Sequence, residues 1–474
     1  MKILFVTSES VPFAVTGGLG DVSSALPKAL RNRRQAIRVV MPLYSDIGSE
    51  YRDKMKYLCH FNVPVSWRNQ YCGVFELTFD GVKYYFLDNE YYFNRKGLYG
   101  YYDDAERYSF FSRAVLEMLN NIDFEPEIIH VNDWQSALVN VYLDLYYRHI
   151  PKFYPIKTLL TIHNIQYQGK YGMEIAEEVL GIGKADYSTI EYNGNCNFLK
   201  GAIATSDRVN TVSPSYSSEI LDPWFSHGLS DLLSSYKYKL RGILNGIDTV
   251  LYDPSKDDII AANFSHSDFS NKAVCKDDLL EEFGMVDNGE PVIGIVSRLV
   301  AHKGFDLIKH VLEYILLAGM KVVVLGTGEY IYESFFTDYA ARYPGQLGVR
   351  IDFNSVLARK IYAGSDMYLM PSKSEPCGLA QMISLRYGTI PIVRETGGLK
   401  DSVFDSGDGK GNGFTFKTYN AHDMLDACFR AKNLYYDKES WNQLIKRAMS
   451  CDNSWKKSAN DYLDLYAEML TLWE

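Results

Sequence analysis

The chain has 474 residues, 23% of them charged, and a formal net charge of −10. Single hydrophobic cores stop growing near about 250–300 residues, so this length predicts two domains. The acidic balance and the lack of a Lys/Arg-rich run exclude nucleic acid and anionic membranes as main partners.

Short apolar runs recur along the chain with amphipathic stretches between them. Strands of this kind, which lack polar alternation and are separated by segments of helical period, indicate parallel sheets covered on both faces. The predicted fold class is therefore α/β. The predicted strands cover residues 3–6, 37–41, 82–87, 128–131, 158–162, 209–212, 240–244, 292–296, 322–325, 367–370 and 390–393.

Turn-forming residues at 245–254 divide the strands into two series. We predict an N-terminal domain over 1–245 and a second domain over 246–455. Residues 456–474 have apolar side chains at helical spacing and are predicted to cross back onto the first domain. Open α/β sheets bind ligands at the carboxyl ends of their strands, so a ligand is expected in a cleft between facing domains.

Two similar turns follow predicted strands, one in each half of the chain. The first glycine turn, Thr16-Gly17-Gly18, follows strand 3–6, and the second, Thr396-Gly397-Gly398, follows strand 390–393. Glycines at a strand-to-helix corner let backbone N–H groups converge on an anion. The alternative is that these glycines only relieve steric crowding. Two matching turns favour two phosphate-facing loops.

Tyrosines are concentrated between residues 84 and 108. Their flat rings and hydroxyl groups suit the faces of sugars, although any one of them is more simply explained as cover for a sheet edge. As a group they are consistent with a polysaccharide contact.

Arg298 and Lys303 follow strand 292–296 and are five residues apart. A cation pair at the end of a strand in an acidic protein suits a doubly charged ligand such as a diphosphate. The alternative is a surface pair that caps a helix.

Glu375 precedes a Pro-Cys-Gly turn, which should leave its carboxylate outside regular structure and near the N–H group of Gly378. A carboxylate in this position can accept hydrogen bonds from sugar hydroxyls and offset positive charge at an anomeric carbon. The alternative is a carboxylate that stabilises a helix N-terminus.

Several common enzyme classes lack support. Asp133 and His163 each end a predicted strand, but no Ser or Cys nucleophile elbow accompanies them, so a hydrolase triad is not indicated. The chain contains no GxxxxGK[ST] motif, and the glycines at 18–20 and 326–328 lack the third glycine of a dinucleotide fingerprint. No credible metal-ligand spacing is present, so neither a metal nor another cofactor is predicted.

The seven cysteines are scattered and have no CxxC spacing. This usage is typical of a reducing cytosol, and we expect a cytoplasmic protein. The start of the chain lacks the long apolar stretch of a signal peptide, and no window approaches the roughly 18–20 apolar residues of a membrane span.

Seven stretches, in order, resemble the bacterial glycogen synthases and plant starch synthases, the retaining glycosyltransferases of family 5. They are TSESVPFAVTGGLGDV, HVNDWQSAL, TIHNIQYQG, Asn-Gly-Ile-Asp at 245–248, GIVSRLVAHKGFDL, PSKSEPCGL and ETGGLKDSV. The resemblance covers essentially the whole chain. It implies a GT-B fold of two Rossmann-like domains, and transfer of glucose from a nucleotide diphosphate sugar to the non-reducing end of an α-1,4-glucan.

The resemblance also implies roles for individual residues. The implied catalytic residues are Glu375, Arg298, Lys303 and His163, of which Arg298 and Lys303 hold the donor diphosphate. The implied donor-binding positions are Val15, Thr16, Gly17, Gly18, Asp21, Asp133, Asn164, Asn245, Phe353, Cys377, Gly378, Thr396, Gly397 and Gly398. Phe353 stands where the family commonly stacks an aromatic ring on adenine.

Position 15 departs from the family pattern, because Val15 replaces the usual lysine. Loss of a cation beside a diphosphate costs on the order of 1–3 kcal/mol, or up to about 100-fold in binding or rate. We predict a retaining glucosyltransferase that uses ADP-glucose and an α-1,4-glucan acceptor. The alternatives are an attenuated or non-catalytic glucan-binding paralogue and a synthase that uses UDP-glucose.

Overall fold

A computed structural model describes residues 1–472 of the chain. These residues form two compact units, each built around its own main sheet. Unit 1 comprises Met1–Val212, Ser217–Ile243 and the segment that begins at Trp455, and unit 2 comprises Ser213–Tyr216 and Leu244–Ser454.

The strands of unit 1 include nine that form one sheet. In chain order the strands are β1 (Lys2–Val6), β2 (Ala36–Pro42), β3 (Lys56–Val65), β4 (Arg68–Phe79), β5 (Val82–Asp88), β6 (Ile128–Asn132), β7 (Lys157–Ile162), β8 (Lys170–Gly172), β9 (Glu191–Tyr192), β10 (Asn195–Asn197), β11 (Arg208–Thr211) and β12 (Leu240–Gly242). The nine-stranded sheet has the order β12-β11-β7-β6-β1-β2-β5-β4-β3, and β8, β10 and β9 form a small separate sheet.

This main sheet is mixed, which corrects the expectation of purely parallel sheets. Strands β3 and β4 form an antiparallel hairpin, and β4 pairs antiparallel with β5. Few side chains of β3 and β4 are buried, and polar residues interrupt both strands. A search for contiguous buried apolar runs therefore misses them.

Helices cover the sheet of unit 1. Up to residue 243 the α-helices are α1 (Gly18–Arg31), α2 (Ser49–Arg52), α3 (Glu90–Phe93), α4 (Asp104–Met118), α5 (Asp133–Tyr142), α6 (Ile175–Glu178), α7 (Tyr187–Ile190), α8 (Phe198–Thr205), α9 (Pro214–Glu219) and α10 (Ser230–Ser235). Helix α1 buries Leu19, Val22, Leu26 and Leu30, whose spacing of three and four residues makes one apolar face.

Unit 2 has a parallel six-stranded sheet. Its strands are β13 (Val292–Val296), β14 (Lys321–Leu325), β15 (Leu347–Arg350), β16 (Met367–Met370), β17 (Ile390–Arg394) and β18 (Phe414–Phe416). Its helices are α11 (Lys272–Glu282), α12 (Phe305–Leu317), α13 (Tyr330–Arg342), α14 (Ser355–Gly364), α15 (Ala380–Arg386), α16 (Gly397–Ser402), α17 (Ala421–Tyr436) and α18 (Lys438–Met449). The strand order β15-β14-β13-β16-β17-β18 is that of a doubly wound fold.

The final helix, α19 (Trp455–Leu470), belongs to unit 1. The Tyr466 hydroxyl lies 2.8 Å from Nδ1 of His130, a fully buried residue of β6 whose Nε2 lies 2.7 Å from the Thr161 hydroxyl. Burial holds the pKa of His130 well below its usual range. His130 therefore serves as a neutral packing residue beneath α19.

Half of the eight tyrosines between residues 84 and 108 are core residues. Tyr84, Tyr85, Tyr92 and Tyr108 are at most 1% exposed, whereas Tyr102 is 92% exposed. Buried rings cannot contact a polysaccharide, so the expectation of a sugar-binding group is wrong for these four. Tyr84 packs against Phe13, and Tyr108 packs against Trp134.

Within residues 1–472, no helix is both long and apolar enough to cross a membrane. All seven cysteines are free thiols.

Candidate active site

In each main sheet the strand order reverses beside a central pair of strands. The reversal lies between β1 and β6 in unit 1 and between β13 and β16 in unit 2. Open α/β sheets bind ligands at the carboxyl ends of strands at such a point. The loops that follow these four strands carry most of the predicted site residues.

The first glycine turn lies between β1 and α1. Gly17 precedes the first helical residue, Gly18. A Cβ atom added to either glycine would meet nothing within 4 Å, so the turn presents bare backbone to open space. Val15 is 44% exposed, and its side chain lies against Gly20.

The Glu9 carboxylate occupies the anion position of this turn. Oε2 of Glu9 accepts hydrogen bonds from the backbone N–H groups of Thr16 at 2.6 Å and Gly17 at 3.1 Å. Oε1 accepts from the hydroxyl groups of Thr16 and Tyr99, both at 2.7 Å. Two N–H groups expected to face a donor phosphate thus bind an internal carboxylate here.

Asp133 begins α5, directly after β6, and has a left-handed backbone with φ of 55°. This region is uncommon for a residue with a side chain and costs on the order of 1–3 kcal/mol. The Asp133 carboxylate accepts the backbone N–H groups of His163, at 2.7 Å, and Asn164. Burial raises the pKa of Asp133 to about 7, although the two hydrogen bonds act to lower it.

His163 follows β7, and its Nε2 lies 2.9 Å from Oδ1 of Asn132. The Asn132 amide NH2 donates to the Val6 carbonyl, so its oxygen is the acceptor and Nε2 of His163 carries the proton. Burial lowers the pKa of His163 to about 3. His163 is therefore neutral at physiological pH and has Nδ1 as an acceptor.

Asp21 lies in the first turn of α1. Desolvation by the surrounding protein raises its pKa to about 6, and the charge of Glu9 adds to the shift. Glu9 also contributes to the raised pKa of Asp133. Glu9 thus lies close enough to both Asp21 and Asp133 to interact with each of them.

Arg298 lies in the loop after β13 and is exposed. None of the ion pairs formed by the described residues includes it. Its loop packs tightly on the loop after β14, where the Leu299 N–H donates to the Thr327 carbonyl at 2.9 Å. A Cβ atom on Gly326 would lie 1.9 Å from the Ser297 carbonyl oxygen, and one on Gly328 would lie 2.2 Å from that of Leu299.

Lys303 and Glu375 form an ion pair. Nζ of Lys303 lies 2.6 Å from Oε2 of Glu375, and the Ser372 hydroxyl donates to the same oxygen at 2.9 Å. Glu375 is 6% exposed. The carboxylate after β16 is thus fixed by a cation from the loop after β13.

The second glycine turn packs against the loop that carries Glu375. The Gly398 N–H donates to the carbonyls of Glu375 and Pro376, at 3.2 and 3.1 Å. A Cβ atom on Gly397 would lie 1.9 Å from the Glu375 carbonyl oxygen, and one on Gly398 would lie 2.1 Å from that of Cys377. In this structure the glycines allow a close approach of two backbones.

Cys377 and Asn245 lie together in unit 2, where the Asn245 N–H hydrogen-bonds to the Cys377 thiol. Burial raises the pKa of Cys377 to about 12, so it is a protonated thiol and not a nucleophile. Asn245 is 5% exposed, and its Oδ1 has no hydrogen-bond partner. Buried polar atoms are normally paired, so this oxygen can accept a hydrogen bond from a water or a ligand.

The other predicted positions are placed as follows. Gly378 has φ of 72°, which favours glycine, and Thr396 is fully buried before α16. Phe353 follows β15 and is 93% exposed, so its ring face is open. No cluster of three or more potential metal ligands occurs in residues 1–472.

Sequence reasoning missed five residues: Glu9, Asn132, Gly326, Gly328 and Ser372. Glu9 had a signal, since it is an isolated acidic residue between a buried strand and a glycine turn. Gly326 and Gly328 were considered only as an incomplete dinucleotide motif, whereas they let the Arg298 loop approach.

Family comparisons agree with this arrangement. Residues 2–235 match the starch synthase catalytic domain model, and residues 279–450 match the model for glycosyl transferases group 1. The chain is 49% identical to a glycogen synthase of Clostridium novyi, with 100% of each chain covered. It is 50% identical to one of Clostridium acetobutylicum, with 99% of this chain and 100% of the relative covered.

A solved structure is similar over almost the full length. The catalytic domain of starch synthase IV from Arabidopsis thaliana, bound to ADP and acarbose, has a TM-score of 0.91, 32% identity and 99% coverage of both chains. Sucrose-phosphate synthase from Thermosynechococcus elongatus, at 15% identity and a TM-score of 0.64, shares the fold.

Proposed function

The chain belongs to the starch and glycogen synthase family of glycosyltransferases, and from this premise we propose that it takes glucose from ADP-glucose and extends an α-1,4-glucan. It is a glucosyltransferase, as predicted, and the expected family, α/β class and GT-B fold are confirmed. The donor nucleotide, the residue roles and the compartment are the proposed part. The free thiols of all seven cysteines support work in a reducing cytoplasm.

One observation carries the proposal: the exposed Arg298 and the Lys303–Glu375 pair lie on the loops after β13 and β16, at the switch point of unit 2. Two cations there suit a diphosphate. The open ring face of Phe353 in the same unit suits a purine, and the ADP bound to starch synthase IV supports adenine as that base.

The transfer step follows from these groups. The bond between the anomeric carbon and the β-phosphate oxygen breaks, and Arg298 and Lys303 stabilise the charge that develops on the departing ADP. Glu375, which Lys303 and Ser372 hold in place, offsets positive charge at the sugar. The acceptor's 4-hydroxyl oxygen bonds to the anomeric carbon from the face that ADP leaves and passes its proton to the departing phosphate, which retains the α configuration.

His163 and Asp133 serve as hydrogen-bonding groups in unit 1. A neutral imidazole can accept a sugar hydroxyl through Nδ1, because Nε2 is engaged with Asn132. The protonated thiol of Cys377 is unsuited to form a covalent intermediate.

A donor comparison tests the proposal. Purified protein is incubated with glycogen and either ADP-glucose or UDP-glucose, each labelled in the glucose, and kcat/KM is measured for each. We expect kcat/KM for ADP-glucose to exceed that for UDP-glucose, because the larger purine ring covers more of the Phe353 ring than uracil does. A preference for UDP-glucose would establish the alternative donor and contradict the proposal.

A further inference from the structure

Glu9 is a buried carboxylate without a cation. It is 4% exposed, and the ion pairs of residues 1–472 do not include it. Charged groups are rarely buried unless they are paired or fully hydrogen-bonded. The energetic cost of this burial indicates that Glu9 has a specific role.

Hydrogen bonds replace the missing cation. Four donors converge on Glu9: the N–H groups of Thr16 and Gly17 and the hydroxyls of Thr16 and Tyr99, at distances between 2.6 and 3.1 Å. A carboxylate accepts only, so its four lone-pair positions match four donors. The Tyr99 hydroxyl also lies 2.7 Å from Ser8 Oγ.

The backbone of Glu9 is anchored separately. The Thr7 hydroxyl donates to the Glu9 carbonyl at 2.8 Å and lies 2.8 Å from the Ser23 hydroxyl of α1. The Glu9 side chain therefore ties the end of β1 to the first glycine turn and to the segment that carries Tyr99.

Apart from the bonds to Glu9, the turn is held by the Gly20 N–H, which donates to the Gly17 carbonyl at 3.1 Å. The space beside Gly17 and Gly18 is open, and Val15 is 44% exposed. Two glycines in sequence have large backbone freedom. Of the four hydrogen bonds that the Glu9 carboxylate accepts, three come from the turn, where Thr16 and Gly17 are the donors.

We propose that Glu9 is a positioning residue for glucosyl transfer, which holds the first glycine turn in its working geometry by occupying the anion position of that turn. The inference rests on the proposed function. It adds that the N–H groups of Thr16 and Gly17 donate to an internal carboxylate and not to the donor. Binding of the donor phosphates therefore depends on the cations of unit 2. Glu9 acts through the turn and touches neither donor nor acceptor.

Two variants of Glu9 remove its hydrogen bonds to different extents, and a third variant, at another residue, is a matched control. Glu9→Ala removes all four bonds. Glu9→Gln keeps one acceptor oxygen for the two N–H groups and can donate its NH2 to the two hydroxyls, which can rotate to accept. Glu127→Gln is the control, because Glu127 is a carboxylate of unit 1 that accepts a backbone N–H, that of Lys2, at 2.7 Å.

Two measurements are made on each protein. Hydrogen–deuterium exchange of peptides within residues 9–24 reports the turn directly and needs no substrate. Steady-state transfer of glucose to glycogen gives kcat and the KM for the donor. We expect faster exchange at the turn and a kcat lower by about tenfold or more in Glu9→Ala, a smaller loss in Glu9→Gln, and a donor KM within about threefold of wild type.

Exchange as slow as wild type in Glu9→Ala, or a kcat within threefold of wild type, would overturn the inference. If Glu9→Ala does not fold, the same comparison with Glu9→Gln decides. If wild type and Glu127→Gln transfer glucose from neither nucleotide sugar, the proposed function fails, and the exchange data alone then decide whether Glu9 holds the turn.

Discussion

Burial sets the protonation state of three side chains in unit 1. It raises the pKa of Asp133 to about 7 and that of Asp21 to about 6, and it lowers the pKa of His163 to about 3. Near neutral pH the imidazole is uncharged, and Asp133 is close to its midpoint. The site is therefore suited to hydrogen bonding with sugar hydroxyls and not to proton transfer by an imidazolium.

The raised pKa of Asp133 predicts how stability depends on pH. The folded protein holds this proton up to about pH 7, whereas an ordinary aspartic acid loses it near 3.8, so stability falls as pH rises through this window. Asp133→Asn cannot ionise and should flatten that fall by up to about 1.4 kcal/mol per pH unit. The free energy of unfolding, measured by urea unfolding at several pH values, gives this slope for each protein.

The control for this prediction is Asp338→Asn, because Asp338 is exposed on α13. It should keep the slope of wild type. An Asp133→Asn protein with the wild-type slope between pH 4 and 7 would show that Asp133 titrates normally.

In the proposed mechanism, stabilisation of the leaving group depends most on Arg298. Arg298→Ala should lower kcat by about 100-fold or more, because the developing charge on the leaving group loses a charge-assisted contact. Arg342→Ala is the matched control, since Arg342 is also exposed in unit 2 and lies at the end of α13. An Arg298→Ala enzyme within threefold of wild type would remove Arg298 from the mechanism.

A substitution of Val15 tests the alternative that this chain is an attenuated synthase. Its side chain is 44% exposed, so Val15→Lys fits without repacking and restores the cation usual at this position. We expect kcat/KM for the donor to rise about fivefold or more, within the range of one charge-assisted contact. Val286→Lys, at a site 69% exposed in unit 2, adds the same charge elsewhere and should change nothing. An unchanged Val15→Lys enzyme would show that the existing groups suffice.

At the scale of elements, contacts between the loops that follow the strands bring together residues that are distant in sequence. Arg298 depends on the loop after β14, whose Gly326 and Gly328 allow contact with the carbonyls of Ser297 and Leu299. Glu375 depends in the same way on the second glycine turn, at Gly397 and Gly398. Both pairs of glycines thus allow the close backbone approaches that support the loops carrying Arg298 and Glu375.

Gly326→Ala tests this support. Its Cβ would lie 1.9 Å from the Ser297 carbonyl oxygen, so the Arg298 loop must move. We expect kcat/KM to fall about tenfold or more and the free energy of unfolding to fall by about 1–3 kcal/mol. Gly183→Ala, where a Cβ meets nothing within 4 Å, is the control. Activity equal to that control would show that the loop is tolerant.

Strands could be predicted from the sequence where nearly all of their consecutive side chains are buried. Strands such as β1 and β13 are contiguous apolar runs and were found, whereas the β3–β4 hairpin is half-exposed and was missed. Glu9 was missed for a different reason. Its one signal, an isolated acidic residue between a buried strand and a glycine turn, does not reveal its partners, because backbone N–H groups and a distant tyrosine leave no pattern of spacing.

At the scale of the molecule, each unit places its functional loops at the switch point of its own sheet. Motif order was enough to predict the family and the GT-B fold. It was not enough to predict which groups neutralise each other, such as Lys303 with Glu375 at 2.6 Å. Such pairing depends on the three-dimensional approach of loops that lie 72 residues apart.

The most direct test of the account is the fate of the glucose itself. Purified protein is given glycogen and ADP-glucose labelled in the glucose, and the washed polymer is digested with an exo-enzyme that cleaves only α-1,4 links from non-reducing ends. The account predicts that label enters the polymer and is released completely as maltose. Label that remains in ADP-glucose or is released as free glucose, or that enters the polymer but resists this digestion, would contradict a retaining α-1,4-glucosyltransferase.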